Sequence, residues 1–229
     1  MLCIPLLINT PATAQSLVYP LGARAKAMGE CGLTQADPYG IFNNQAVLAR
    51  LQNAGLLLST ENRYLLPDMN RVSLGAVIPA GSGMLLSGLD HFGGPLYSEM
   101  CAGAGYALPI GKYVAAGLRL DYLRISFGEG YSSRQAISFE GGLLITPGPK
   151  LSLGMHIFNP LHLKWIGTDE PLPTAFRAGA SYRPEPQLIF ALEIHSSNTT
   201  KAVFCGGAEY RFQKKFFIRA GISSGDARY

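Results

Sequence analysis

A chain of 229 residues with a formal net charge of +4 carries only 15% charged residues, well below the ~25% of ordinary soluble domains. The length allows one large β-architecture or two small domains without choosing between them. Basic residues are scattered apart from the pair in QKKF (213–216), which argues against a nucleic-acid-binding protein, and no apolar run reaches the ~18 residues of a membrane-spanning helix.

In chain order, MLCIPLLINTPATAQ offers a short apolar run and then Ala12-Thr13-Ala14, an A-x-A cleavage pattern. Residues 1–14 read as a signal peptide that is incomplete, because the basic start is missing; the alternative is an ordinary N-terminal strand. Of the four cysteines, Cys3, Cys31, Cys101 and Cys205, cleavage leaves an odd number at spacings too wide for a metal site. Residues 15–53 form a second segment. It opens with GARAKAMGECG (22–32), helix-friendly but bracketed by Gly22 and Gly32 and interrupted at Gly29. It closes with NNQAVLARL (43–51), where an asparagine can cap a short helix.

From Ala54 to Tyr229 the period is two. In QLIFALEIH, Leu188, Phe190, Leu192 and Ile194 share one face, and Gln187, Ala191, Glu193 and His195 the other. KLSLGMHIF, TAFRAGASYR and KFFIRAGIS repeat the pattern, the signature of strands with one apolar and one polar face. Strands are expected near 54–64, 69–79, 82–92, 96–108, 112–126, 134–147, 150–159, 174–183, 187–195, 202–211 and 215–223. Breakers such as PAGSG, PIGK, PGPK and RPEPQ describe serial hairpins in an up-and-down meander. The strands run about 9–14 residues against the usual ~5–6, long enough to cross a bilayer at a tilt.

The polar face carries Arg119, Asp121, Glu140, Arg177, Arg183, Glu193, Glu209, Arg211 and Arg219. In a soluble sandwich or lipocalin-like barrel that face meets water; in a membrane barrel it lines the lumen. Alternation alone is identical in the two cases. The leader, the strand lengths and aromatics near strand ends (Tyr64, Tyr106, Tyr113, Tyr182, Tyr210) favour the membrane barrel, with the aromatics as interfacial girdles. On that reading Arg119, Asp121, Glu140, Arg177, Glu193, Glu209 and Arg211 face the lumen. Leu120→Arg should then cost more than Arg119→Leu.

GARAKAMGECG followed by ADPYGIFNNQAVLA resembles the N-terminal signature of PorV/PorQ-like outer-membrane proteins, part of the FadL-type barrel superfamily. Gly22, Ala23, Arg24, Ala25, Met28 and Gly29 match its first half; Ala36, Asp37, Asn44, Ala46 and Leu48 match the second. Cys31 stands where alanine is common and Gln45 where proline is. ENRYLL, LRLDYLRISFGEGY, MHIFNP and EYRFQKKFFIRAGISS are also similar to a short subgroup of that family. The resemblance implies that 15–53 folds into the lumen as a plug, with Val47 and Leu51 inward. Gly22, Gly29 and Gly32 would pass close to the wall, Arg24 and Asp37 would pair with lumen charges, and Asp37 and Asn44 would hold the segment in place. It also implies about fourteen strands. The eleven expected here then form an incomplete barrel, C-terminally truncated, with an open seam between the first strand and the last.

His91, His156, His162 and His195 lack ligand spacing, and G-x-S-x-G, H-E-x-x-H and P-loop motifs are missing; no enzyme activity, metal or cofactor is expected. FGEGYSS and PLHLKWIGTDEPLP, the latter holding the only tryptophan, read as long loops where a partner would dock. The resemblance implies a shuttle or accessory component of type IX protein secretion in the outer membrane of a Gram-negative bacterium, with secreted proteins or secretion components as partners. The alternatives are a FadL-like channel for small hydrophobic molecules and a structural barrel without transport.

Overall fold

The computed structural model describes residues 20–62, 65–128, 132–213 and 215–225. The leader expected over 1–14, Tyr64 and the tip of the 127–133 loop lie outside them. Eleven strands form one antiparallel sheet in chain order. They are β1 (Gly55–Asn62), β2 (Asn70–Ala80), β3 (Gly83–Gly93), β4 (Tyr97–Ile110), β5 (Val114–Phe127), β6 (Arg134–Ile145), β7 (Leu151–Phe158), β8 (Ala175–Glu185), β9 (Leu188–Ser197), β10 (Val203–Phe212) and β11 (Phe216–Ser223). Each expected strand is present within a few residues of its bounds. Among the described residues no ladder joins β11 back to β1, so both strands keep a bare edge.

One end of the sheet carries tight turns, two of them at Gly81 (φ 57°) and Gly111 (φ 72°), where a left-handed backbone suits glycine. The other end carries the longer connections, 128–133 and 159–174. The two faces have inverted chemistry. Leu56, Leu58, Leu118, Leu120, Leu192, Phe204, Ile218 and Ile222 stand exposed, while Arg71, Asp90, Arg119, Asp121, Glu140, Arg177, Glu193 and Glu209 are buried. A soluble protein does not leave so continuous an apolar face in water. Apolar residues outside and charges inside define the transmembrane β-barrel arrangement. Tyr113, Tyr182 and Tyr210 are exposed at the tight-turn end; Tyr106 at the same end donates its hydroxyl to the Ala80 carbonyl at 2.7 Å. No described helix is long and apolar enough to cross a membrane.

Residues 20–53 lie against the buried face. The alanine-rich α1 (Ala23–Ala27) follows Gly22 and ends before Gly29, which turns the chain at φ 65°. After α2 (Gly40–Asn43) comes a 3-10 helix, Gln45–Arg50, instead of an α-helical turn. Asn44 caps it, its Oδ1 accepting from the Ala46 amide at 3.1 Å, the geometry preferred at an N-cap. Ile41, Val47 and Leu48 are fully buried, and each such side chain contributes about 1.5–3 kcal/mol through its removal from water. Leu51 is only partly buried beside them.

Candidate functional site

The buried face of the sheet divides into zones along the strands. At the tight-turn end Val77, Leu86, Ala107, Ala115 and Leu144 close around Ile41, Val47 and Leu48. This apolar grip seats the N-terminal segment.

Above it runs a belt of ion pairs. Arg119 on β5 stands opposite Glu140 on β6, 3.0 Å away, and reaches Asp121 at 3.0 Å. Glu140 also accepts from Gln45 Nε2 at 2.8 Å and meets His156 Nε2 at 3.1 Å. Arg177, opposite His156 on β8, donates to His156 Nδ1 at 3.2 Å, so Nε2 carries the proton shared with Glu140. Arg71 and Asp90 pair at 2.9 Å. The belt also binds the N-terminal segment: Arg119 donates to the Ile41 carbonyl at 3.1 Å and Arg177 to the Asn43 carbonyl at 2.5 Å. These carbonyls end a short helix and lack intrahelical partners; the wall guanidiniums supply them. Arg71, Asp90, Arg119, Asp121 and Glu140 leave between them a cavity of only about 20 Å³.

Arg119 therefore serves two carboxylates and a carbonyl within a site only 3% exposed. The expectation that Arg119→Leu is the mild substitution does not fit this arrangement, because it leaves Asp121 and Glu140 buried without their cation. Arg211 is half-buried and bonds the Pro186 carbonyl at 3.2 Å. With Arg24, Lys150, Arg183 and Arg219 it lines a vestibule of about 640 Å³ at the tight-turn end of β8–β11, where Glu185 and Glu209 are the acidic residues.

The motif residues of the N-terminal segment have definite contacts. Arg24 forms a two-point pair with Glu209 at 2.7 and 2.8 Å, and Arg219 binds the same carboxylate at 2.6 Å. Met28 sits over Gly207 and Gly221, and a Cβ at Gly29 would strike the backbone of Gly206 and Ile222. Close approach to β10 and β11 therefore requires glycine on both sides. Gly22 and Gly32 abut Tyr39 and Asn43 of their own segment, not the wall. Asn44 donates to the Leu143 carbonyl on β6 at 3.2 Å, and Ala46 and Leu48 are buried. Asp37 bonds Arg24 at 3.4 Å and the Tyr39 amide at 3.0 Å, both within the segment; among the described contacts it reaches no wall charge. Burial pushes its carboxyl above the usual carboxylate range, and Arg24 draws it back down.

At the long-loop end the buried face becomes apolar again. Leu123 and Ile125 continue the inward row of Arg119 and Asp121, and Ala136, Phe158 and Ala175 join them. The loop 159–174 folds over this patch. Its Trp165 and Leu172 are 2% and 1% exposed, so it turns its tryptophan inward instead of presenting it to a partner. Asn159 pins the loop: its Nδ2 donates to the Leu172 carbonyl at 3.2 Å and its Oδ1 accepts from the Leu163 amide at 2.8 Å. Ile166 N–H ties the loop to the Gln135 carbonyl at 2.8 Å. Sequence reasoning missed this patch although the signal was present, since the alternation through RLDYLRIS places Leu123 and Ile125 on the inner face.

These features define the fold of an antiparallel transmembrane β-barrel protein, with its own N-terminal segment packed against the inner face of the sheet. Among solved structures the chain is similar to the CymD monoaromatic hydrocarbon channel, with a TM-score of 0.65 at 15% identity, over 92% of this chain and 84% of that one. No protein-family model matches the sequence, and no curated protein matches it.

Proposed function

We propose that the protein is an outer-membrane channel of a Gram-negative bacterium, of FadL-like type, that takes up small hydrophobic molecules at its long-loop end without chemical conversion. The observation that carries this reading is the apolar patch of Leu123, Ile125, Ala136 and Phe158 under the inward-facing Trp165. In barrels of this class the longer loops face outward from the cell and the short turns face the periplasm. A small apolar ligand would meet this patch first, after the 159–174 loop lifts. The charged belt, with only a 20 Å³ cavity among its side chains, disfavours straight passage down the axis. The likeness to a monoaromatic hydrocarbon channel supports the same ligand class.

The reading as a type IX secretion shuttle rests on the N-terminal motif. Yet Arg24, Met28, Gly29, Asn44, Ala46 and Leu48 all have structural work in seating the segment. The motif therefore speaks for a plugged barrel and carries no information about a secreted partner.

Trp165 is the single tryptophan and so reports on this site alone. Titration of the detergent-solubilised protein with toluene should give a saturable change in its fluorescence, and Leu123→Asp should remove the saturable part. A response that rises linearly, as partition into detergent would, and is unchanged in Leu123→Asp would refute the proposal.

A further inference from the structure

One side-chain cluster lies outside both the belt and the apolar patch. Glu30 in the turn after α1, His195 on β9 and Cys205 on β10 each place a potential ligand atom within 4.8 Å of the other two. Their neighbours prepare them for one task. Glu193 Oε1 is held by the Leu33 amide at 2.8 Å, and its Oε2 lies 3.0 Å from His195 Nε2. A carboxylate accepts only, so Nε2 carries the proton and Nδ1 presents its lone pair. This is the carboxylate–histidine relay that orients metal-ligating imidazoles. Nδ1 stands 3.9 Å from the Cys205 sulfur, a loose thiol–imidazole contact. Zinc bonded to a sulfur at about 2.3 Å and a nitrogen at about 2.0–2.1 Å, at a tetrahedral angle, spans roughly 3.6 Å between them. Cys205 is 3% exposed and in no disulfide. Glu30 holds Lys26 through Oε1 at 3.0 Å, which leaves its second oxygen for a ligand bond.

We infer that Glu30, His195 and Cys205 bind a divalent cation of zinc type, with Glu193 orienting the histidine. Binding releases the Cys205 thiol proton to solvent, and thiolate, imidazole and carboxylate complete three positions of a tetrahedral site. Because Glu30 belongs to the N-terminal segment and the other two to the wall, the metal cross-links the segment to β9 and β10.

The test uses the full-length protein folded in detergent and stripped with a chelator, with cobalt(II) as the spectroscopic probe. A single equivalent should produce tetrahedral d–d bands and a thiolate-to-cobalt charge-transfer band, both displaced by zinc. Cys205→Ser should abolish the charge-transfer band, and Glu193→Gln should weaken cobalt binding about 10–100-fold. Bound metal should also slow proteolysis of the N-terminal segment in the wild type and not in Cys205→Ser. If Cys205→Ser does not fold, Glu30→Gln, at a partly exposed position, takes its place: it should retain the charge-transfer band with weakened affinity and lose the protection. Absence of tetrahedral bands in the wild type, or spectra and affinity unchanged by these substitutions, overturns the inference.

Discussion

At residue 119 and residue 120 two adjacent side chains live in opposite solvents. Leu120 is exposed on the outer face, and Arg119 is buried between Asp121 and Glu140. Leu120→Arg should cost about 2–4 kcal/mol by putting a charge in lipid. Arg119→Leu should cost at least as much, about 3–5 kcal/mol, because two buried carboxylates lose their counter-charge. Urea titrations of both variants refolded into lipid would compare them, and a near-neutral Arg119→Leu would mean that the belt does not depend on this cation. The side each residue faces was legible from the alternation in GLRLDYL (117–123). The partners were not, because Glu140, Cys101 and Ile41 reach Arg119 from three separate elements. The same limit hid the Glu30, His195 and Cys205 cluster, whose members are scattered along the chain and show no ligand spacing.

At the scale of elements, the strands were legible throughout. A meander of serial hairpins leaves no crossover to choose, so finding each turn is enough to order the sheet. The inner segment and the loops were legible only in outline. Asn44 signalled its cap, but the six-residue piece after it, Gln45–Arg50, winds as a 3-10 helix. PLHLKWIGTDEPLP is legible as a long loop between strands, but its inward fold rests on the bonds of Asn159, which spacing does not reveal. That residue sits at φ 52°, a conformation asparagine tolerates better than most. Asn159→Ala should loosen the loop by about 1–3 kcal/mol through unmet buried groups, seen as a red shift of Trp165 emission. Asn159→Gly separates the causes: if glycine restores the wild-type spectrum, the backbone angle matters and the side-chain bonds do not. For the N-terminal segment, Arg24→Ala should raise protease access within 20–53 more than Asp37→Ala, since only Arg24 reaches the wall through Glu209.

For the whole molecule, the inverted faces require a lipid or detergent surround. The protein should fractionate with outer membranes and shift its gel mobility on boiling. Recovery as a monomer without detergent would contradict the face assignment. Protection from amide exchange should be highest in β4–β6, paired on both sides, and lowest in β1 and β11, which pair on one side only among the described residues. Equal protection at β1, β5 and β11 would mean that the edges are covered.

The pair between Arg24 and Glu209 joins residues 185 positions apart. Contacts of such separation are reached late in folding, because the chain must close a long loop before they reward it. Arg24→Ala should therefore leave the refolding rate almost unchanged and accelerate unfolding, the pattern of an interaction absent from the transition state. The latch between the two ends of the described chain would then act on how long the folded barrel lasts, and hardly at all on how fast it forms.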